Sequence, residues 1–77
     1  MKKFKIAITN MGGFAQVGFQ VIKADFPANA VIFTTRAAAQ LAAQDMANWN
    51  DQFDDQRGFA ALVCVKKGTR WLVISQH

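Results

Sequence analysis

Two stretches near the N-terminus alternate between apolar and polar positions, and one longer stretch repeats at helical spacing. Residues 3–9 place Phe4, Ile6 and Ile8 on one side and Lys3, Lys5, Ala7 and Thr9 on the other, the period of a half-buried strand. Asn10-Met11-Gly12-Gly13 is a turn signal. Residues 14–23 alternate again, with Ala15, Val17, Phe19 and Val21 against Phe14, Gln16, Gly18 and Gln20. A two- or four-residue loop sets Ile8 opposite Ala15, Ile6 opposite Val17 and Phe4 opposite Phe19. The two patterns together predict a hairpin.

The helical stretch runs from Thr34 to Phe53. Thr34 and Thr35 are both N-cap residue types, and the alanine-rich run behind them favours a helix. At 100° per residue, Ala38, Ala39, Ala42, Met46, Trp49 and Phe53 share one arc, which is therefore the expected buried face. Trp49 and Phe53 would anchor it, and Gly58 would stop the chain beyond it. Ala24 to Asn29, with the only proline, reads as a loop. Ala30 to Phe33 is a short apolar run leading into the helix, either a brief strand or a staple on its first turn.

After the helix, residues 59–65 and 70–76 form a second strand pair around Lys66-Lys67-Gly68-Thr69. With Lys67-Gly68 as the turn, Phe59, Ala61, Val63 and Val65 share a core face with Leu72 and Ile74. Ala60, Leu62 and Cys64 then join Trp71 and Val73 on the other face. The expected architecture is α+β, in the order β-β-α-β-β: a four-stranded antiparallel sheet with one helix packed on one face. One domain, residues 1–77, accounts for the whole pattern.

Composition agrees with a packed domain, since the 77 residues are 52% hydrophobic and include seven Phe and two Trp. A single cysteine, Cys64, allows no internal disulfide and suits a reducing compartment. The apolar run after MKKFK stops at Thr9, too short for a signal peptide, and no stretch reaches the length of a membrane span. The expected location is cytoplasmic. The net charge of +4 favours acidic partners, and its distribution is lopsided. Lysines gather at Lys2, Lys3 and Lys5 and again at Lys66 and Lys67 beside Arg70, whereas Asp45, Asp51, Asp54 and Asp55 lie on or just after the helix.

Candidate chemistry is sparse. The only histidine is His77, at the end of the sequence, and the only serine is Ser75, so no catalytic residues and no enzyme activity are expected. Cys64 reads as a small strand hydrophobe. Asp51, Asp54 and Asp55 lack the calcium-loop pattern, so no metal site is expected. Three acids near a helix C-terminus do oppose the macrodipole, which hints at an acidic contact surface. Gly12-Gly13 with Gly18 lacks dinucleotide-loop spacing, and no cofactor is expected. Lys66, Lys67, Arg70 and Trp71 set cations beside an aromatic ring, as a phosphate-and-stacking surface would. If the first strand begins near that turn, Lys2, Lys3 and Lys5 extend the patch. Trp71, Leu62, Cys64 and Val73 would be too much apolar surface for one helix to cover. They would mark a partner or homodimer interface unless the sheet curls or the Ala24–Asn29 loop covers them.

Two strand pairs flanking one alanine-rich helix, in a short chain without a catalytic kit, resemble the small inhibitor proteins of phages and mobile elements. Among these the layout is most similar to the anti-CRISPR proteins, several of which pack one helix on a curved antiparallel sheet. The resemblance implies a stoichiometric blocker in the host cytoplasm that binds a CRISPR effector or similar nucleoprotein complex. It would obstruct nucleic-acid binding or activation. The alternative is a small basic nucleic-acid-binding domain using the Lys66–Arg70 hairpin. Partner-binding residues are expected among Lys66, Lys67, Arg70, Trp71, Asp51, Asp54 and Asp55.

Overall fold

The longest apolar run in the strand regions, Ala60 to Val65, organises the sheet. A computed structural model of the chain describes residues 2–9, 17–22, 25–50 and 60–77. It contains strands β1 (Phe4–Thr9), β2 (Gln20–Val21), β3 (Ala60–Lys67) and β4 (Arg70–Gln76), and one helix, α1 (Arg36–Asn50), between β2 and β3. They form the expected α+β architecture, a four-stranded antiparallel sheet in the order β1-β3-β4-β2.

That order replaces the N-terminal hairpin. β1 pairs with β3, not β2, setting Phe4 opposite Val65, Ile6 opposite Val63 and Ile8 opposite Ala61. A strand apolar on both faces needs a neighbour on each edge and cover on each side, so β3 takes an inner place. The expected pairing of Phe4 with Phe19 is not made, since Phe4 bridges Phe33 on its other edge and the Phe19 carbonyl accepts the Val73 N–H. Ala15 lies outside the described residues. The alternation of residues 14–23 also fails where it can be followed. Gly18 adopts a φ of 90°, and only Gln20 and Val21 pair as strand, against Leu72 and Trp71 of β4. Val21 is buried, but Val17 and Phe19 are exposed.

The β3–β4 turn is Gly68-Thr69 rather than Lys67-Gly68, and Gly68 takes the left-handed φ of 63° that the tight turn requires. Moving a two-residue turn by one position shifts the pairing by two, which preserves which side chains share a face next to the turn; Phe59, expected on the core face, lies outside the described residues. Ala61, Val63, Val65 and Ile74 accordingly pack on the helix side, and Ala60, Leu62, Cys64, Val73 and Trp71 on the other. A register shift after Val63 places Val63 opposite Ser75 but Cys64 opposite Val73, so Ile74 is the extra residue of a bulge.

The helix starts two residues later than expected. Thr35 is its cap: the hydroxyl accepts the Ala38 N–H at 3.2 Å, and the carbonyl accepts the Ala39 N–H. Its buried stripe is Ala39, Ala43 and Ala47, ending at Asn50, with Ala42 and Met46 half-buried beside it. The expected arc was rotated from this one. Ala38 is exposed, and Trp49 is 63% exposed rather than an anchor. Three alanines at i, i+4 and i+8 let the helix backbone approach the sheet closely, and that approach leaves no room for an indole beneath it. Phe53 and Gly58 lie outside the described residues. Among the described residues, no helix is long and apolar enough to cross a membrane.

Residues 30–33, expected as either a brief strand or a staple, form no strand, and only Phe33 pairs. Phe33 forms a single antiparallel bridge to Phe4, donating to its carbonyl at 2.8 Å and accepting its N–H at 2.9 Å. This ties the entry of α1 to the start of β1.

Candidate binding surface at the basic end of the sheet

The chain brings its cations together through backbone pairing. The Lys66 N–H donates to the Lys3 carbonyl at 3.0 Å, so the start of β1 lies beside the β3–β4 turn. Lys67 faces Arg70 across that turn. The Phe4–Phe33 bridge brings the first turn of α1 to the same end, and with it Arg36. Lys2, Arg36, Lys66 and Lys67 line one groove of about 540 Å³, floored by Phe4, Val65 and Ile74. On the other side of the sheet, Lys5 and Arg70 line a cleft of about 460 Å³ with Phe26 and Trp71. Seven of the nine lysines and arginines thus surround one end of the sheet, the other two, Lys23 and Arg57, lying outside the described residues.

The aromatic pair in the second cleft comes from distant elements. Phe26 belongs to the loop before α1, which is held by local bonds. The Asp25 N–H donates to the Ile22 carbonyl, the Ile22 N–H donates to the Asp25 carboxylate, and Ala30 closes a turn onto Pro27. The Phe26 and Trp71 rings meet edge to face at 5.4 Å. The Lys5 ammonium lies 5.5 Å from the Phe26 centroid and 5.2 Å from that of Trp71, within cation–π range of both.

This loop answers the open question about the face away from the helix. Phe26 and Trp71 pack against Ala7, Val21, Ala60, Leu62, Cys64 and Val73, all of them buried. The apolar residues on which a partner or homodimer interface was expected are thus covered within the chain, and only Trp71 among them stays half-buried. Ala7, expected on the polar side of β1, is fully buried in the same cluster.

Of the expected partner-binding residues, Lys66, Lys67, Arg70 and Trp71 are brought together. Asp51, Asp54 and Asp55 lie outside the described residues. Asp45 lines neither basic cleft but a separate one of about 380 Å³, with Ile8, Met46, Trp49 and Asn50. Arg36 is the member of the basic end that sequence reading missed. Local spacing did not show that the helix starts at Arg36, beside the lysines.

Three groups with nucleophile or base chemistry have defined places. The Cys64 thiol is fully buried and donates to the Leu62 carbonyl at 3.6 Å, and burial pushes its pKa up to about 11. A thiol so placed is a packing group. His77 is held by both its backbone and its ring. Its backbone pairs with Ala61 in both directions, its Nε2 lies 3.1 Å from the Ser75 hydroxyl, and its Nδ1 lies 3.2 Å from Gln44 Oε1. These contacts fasten the end of β4 to the helix. Neither Ser75 nor His77 lines any of the three clefts. Among the described residues, no three metal-ligating side chains gather.

Compared with protein-family models, with curated proteins and with solved structures, the chain matches none of them.

Proposed function

We propose that this protein is a small binding module, without catalytic chemistry of its own, that acts on a nucleoprotein assembly by gripping nucleic-acid phosphates with its basic end. The observation that carries this reading is the gathering of Lys2, Lys3, Lys5, Arg36, Lys66, Lys67 and Arg70 around one end of the sheet. Lysines and arginines so grouped neutralise phosphates and release their counterions, which gives affinity that depends little on sequence and steeply on salt. Aromatic rings set among them add stacking surface. A lysine-rich turn alone is ordinary edge protection. Here three separate elements deliver cations to one place.

Anisotropy titrations of labelled DNA and RNA over a range of salt test it. The expected result is binding that weakens steeply as salt rises from about 50 to 200 mM. Lys66→Ala/Lys67→Ala/Arg70→Ala should weaken it uniformly across sequences and reduce the log–log salt slope by about 3. No binding to either polymer at about 50 mM salt contradicts the reading.

The second reading is an inhibitor of the anti-CRISPR type, and the cleft at the far end of the helix favours it. Ile8, Met46 and Trp49 present apolar surface there beside Asp45 and Asn50, and Leu41 is exposed on the same helix. Apolar surface rimmed by polar groups is the material of a protein interface. Target cleavage by purified CRISPR effectors, followed with increasing amounts of the protein, checks it. Stoichiometric loss of cleavage supports inhibition. Unchanged cleavage at large excess, across effector types, rejects it.

A further inference from the structure

The cleft beside Trp71 holds more than phosphate binding uses. It is lined by Lys5, Phe26, Pro27, Thr69, Arg70 and Trp71, with backbone and side chains of the neighbouring loop, and encloses about 460 Å³. A track for phosphates needs cations and has no use for two aromatic rings at its edge. Burial accounts for only part of Trp71, which packs on the outer cluster and also lines the open cleft. Leu62, Cys64 and Val73 beneath it are almost completely covered, yet Trp71 itself remains half-buried. The Lys5 ammonium, 5.2 Å from the Trp71 centroid, is the group now resting over the ring.

We infer that this cleft receives an unstacked base of single-stranded nucleic acid, which stacks on the Trp71–Phe26 pair while Lys5 and Arg70 meet the flanking phosphates. The inference rests on the nucleic-acid reading above and narrows it to strands with free bases. Every base has a π-face, so stacking on an indole tolerates sequence, and cations on either side fix the backbone. Lys5 is suited to the exchange. Its long stem can swing, so an arriving base displaces the ammonium from the ring toward a phosphate, trading a cation–π contact for a stack and an ion contact. The groove of Lys2, Arg36, Lys66 and Lys67 on the other side of the sheet continues the positive path beyond the turn. A duplex keeps its bases stacked and can offer this cleft none. An acidic peptide would find the cations but gain little from the rings.

The test uses the full chain and three probes of equal length: a single-stranded oligothymidine, a duplex, and an abasic strand carrying the same phosphates. Trp49→Phe leaves Trp71 as the only indole of the two, so its emission reports on the cleft. The oligothymidine should bind about tenfold more tightly than the abasic strand at the same salt, and more tightly than the duplex, with quenching of Trp71. Trp71→Leu, once its melting curve shows it folded, should bring oligothymidine down to the affinity that the parent has for the abasic strand. Equal affinity for the two strands with unchanged emission overturns the inference and leaves the phosphate reading standing. Failure of all three probes to bind overturns both. So does polyglutamate binding that exceeds every oligonucleotide, which would make the partner an acidic protein. The comparison of strands is made on protein with Trp71 intact, so it decides the matter even if Trp71→Leu does not fold.

Discussion

Phe26, in the loop before the helix, and Trp71, on β4, meet edge to face with ring centroids 5.4 Å apart and planes inclined at 65°. Their contact closes the sheet face that α1 cannot reach. A single helix covers one side of a four-stranded sheet, and β3 is apolar on both sides, so the second side needs another cover. The loop supplies it, and in doing so sets two aromatic rings among the cations at the end of the sheet.

Removing the Phe26 ring should therefore loosen that face. Phe26→Ala is expected to cost about 1–3 kcal/mol in urea unfolding, below the 3–5 kcal/mol of a fully buried phenylalanine, because the ring is half-buried. Phe26→Leu should recover much of the loss. An unchanged midpoint in Phe26→Ala would mean that the loop does not hold the outer face.

The alanine stripe of α1 makes an opposite pair of predictions. Ala43 is fully buried against the sheet, so Ala43→Leu should overpack the contact and cost about 1–3 kcal/mol or more. Trp49 is 63% exposed, so Trp49→Ala should cost well under the 3–5 kcal/mol of a buried tryptophan. Thermal or urea unfolding of the two variants checks the orientation of the helix, and the reverse ranking would mean that it is rotated.

Only one of the two threonines before the helix caps it. Thr35→Ala should cost about 1 kcal/mol, through loss of the bond from the Ala38 N–H, whereas Thr34→Ala should stay within about 0.5 kcal/mol of the parent. Equal losses would place the cap elsewhere.

Cys64 gives stability a pH dependence of known sign. Burial raises the thiol from its ordinary 9.0 to about 11, so in the folded chain it stays protonated where the unfolded chain ionises. The contribution is fully present below about pH 9 and is lost as pH rises towards 11. The unfolding free energy of the parent, measured against that of Cys64→Ala, should fall across that window. A difference that stays flat or rises would mean that the thiol ionises as readily in the folded chain.

The class of the fold and the faces of β3 and β4 were legible because each strand carries its own alternation and the glycine turn limits the register. Strand order was not. Phe4, Ile6 and Ile8 fit Val65, Val63 and Ala61 as well as they fit Phe19, Val17 and Ala15, and a local pattern cannot choose between two complementary partners. The choice falls to β3, whose two apolar faces demand neighbours on both edges. The helix arc was misplaced for a related reason. Hydrophobic spacing weights Trp49 and Met46 by size, whereas the sheet selects the narrow row of Ala39, Ala43 and Ala47 that permits close approach. At the basic end, Lys66, Lys67, Arg70 and Trp71 were visible as a run, and Lys2, Lys3 and Lys5 as conditional additions. Arg36, and the contact of Trp71 with Phe26, depend on tertiary pairing that no local spacing records.

The basic end is the claim on which the functional account stands, and backbone amide NMR tests it most directly. On titration of the isotope-labelled protein with a short single-stranded oligonucleotide at low salt, chemical-shift changes should concentrate at Lys2–Lys5, Arg36, Lys66–Trp71 and Phe26, and fade as salt is raised. Shifts centred on Ile8, Met46 and Trp49, or no shifts at all, would contradict it.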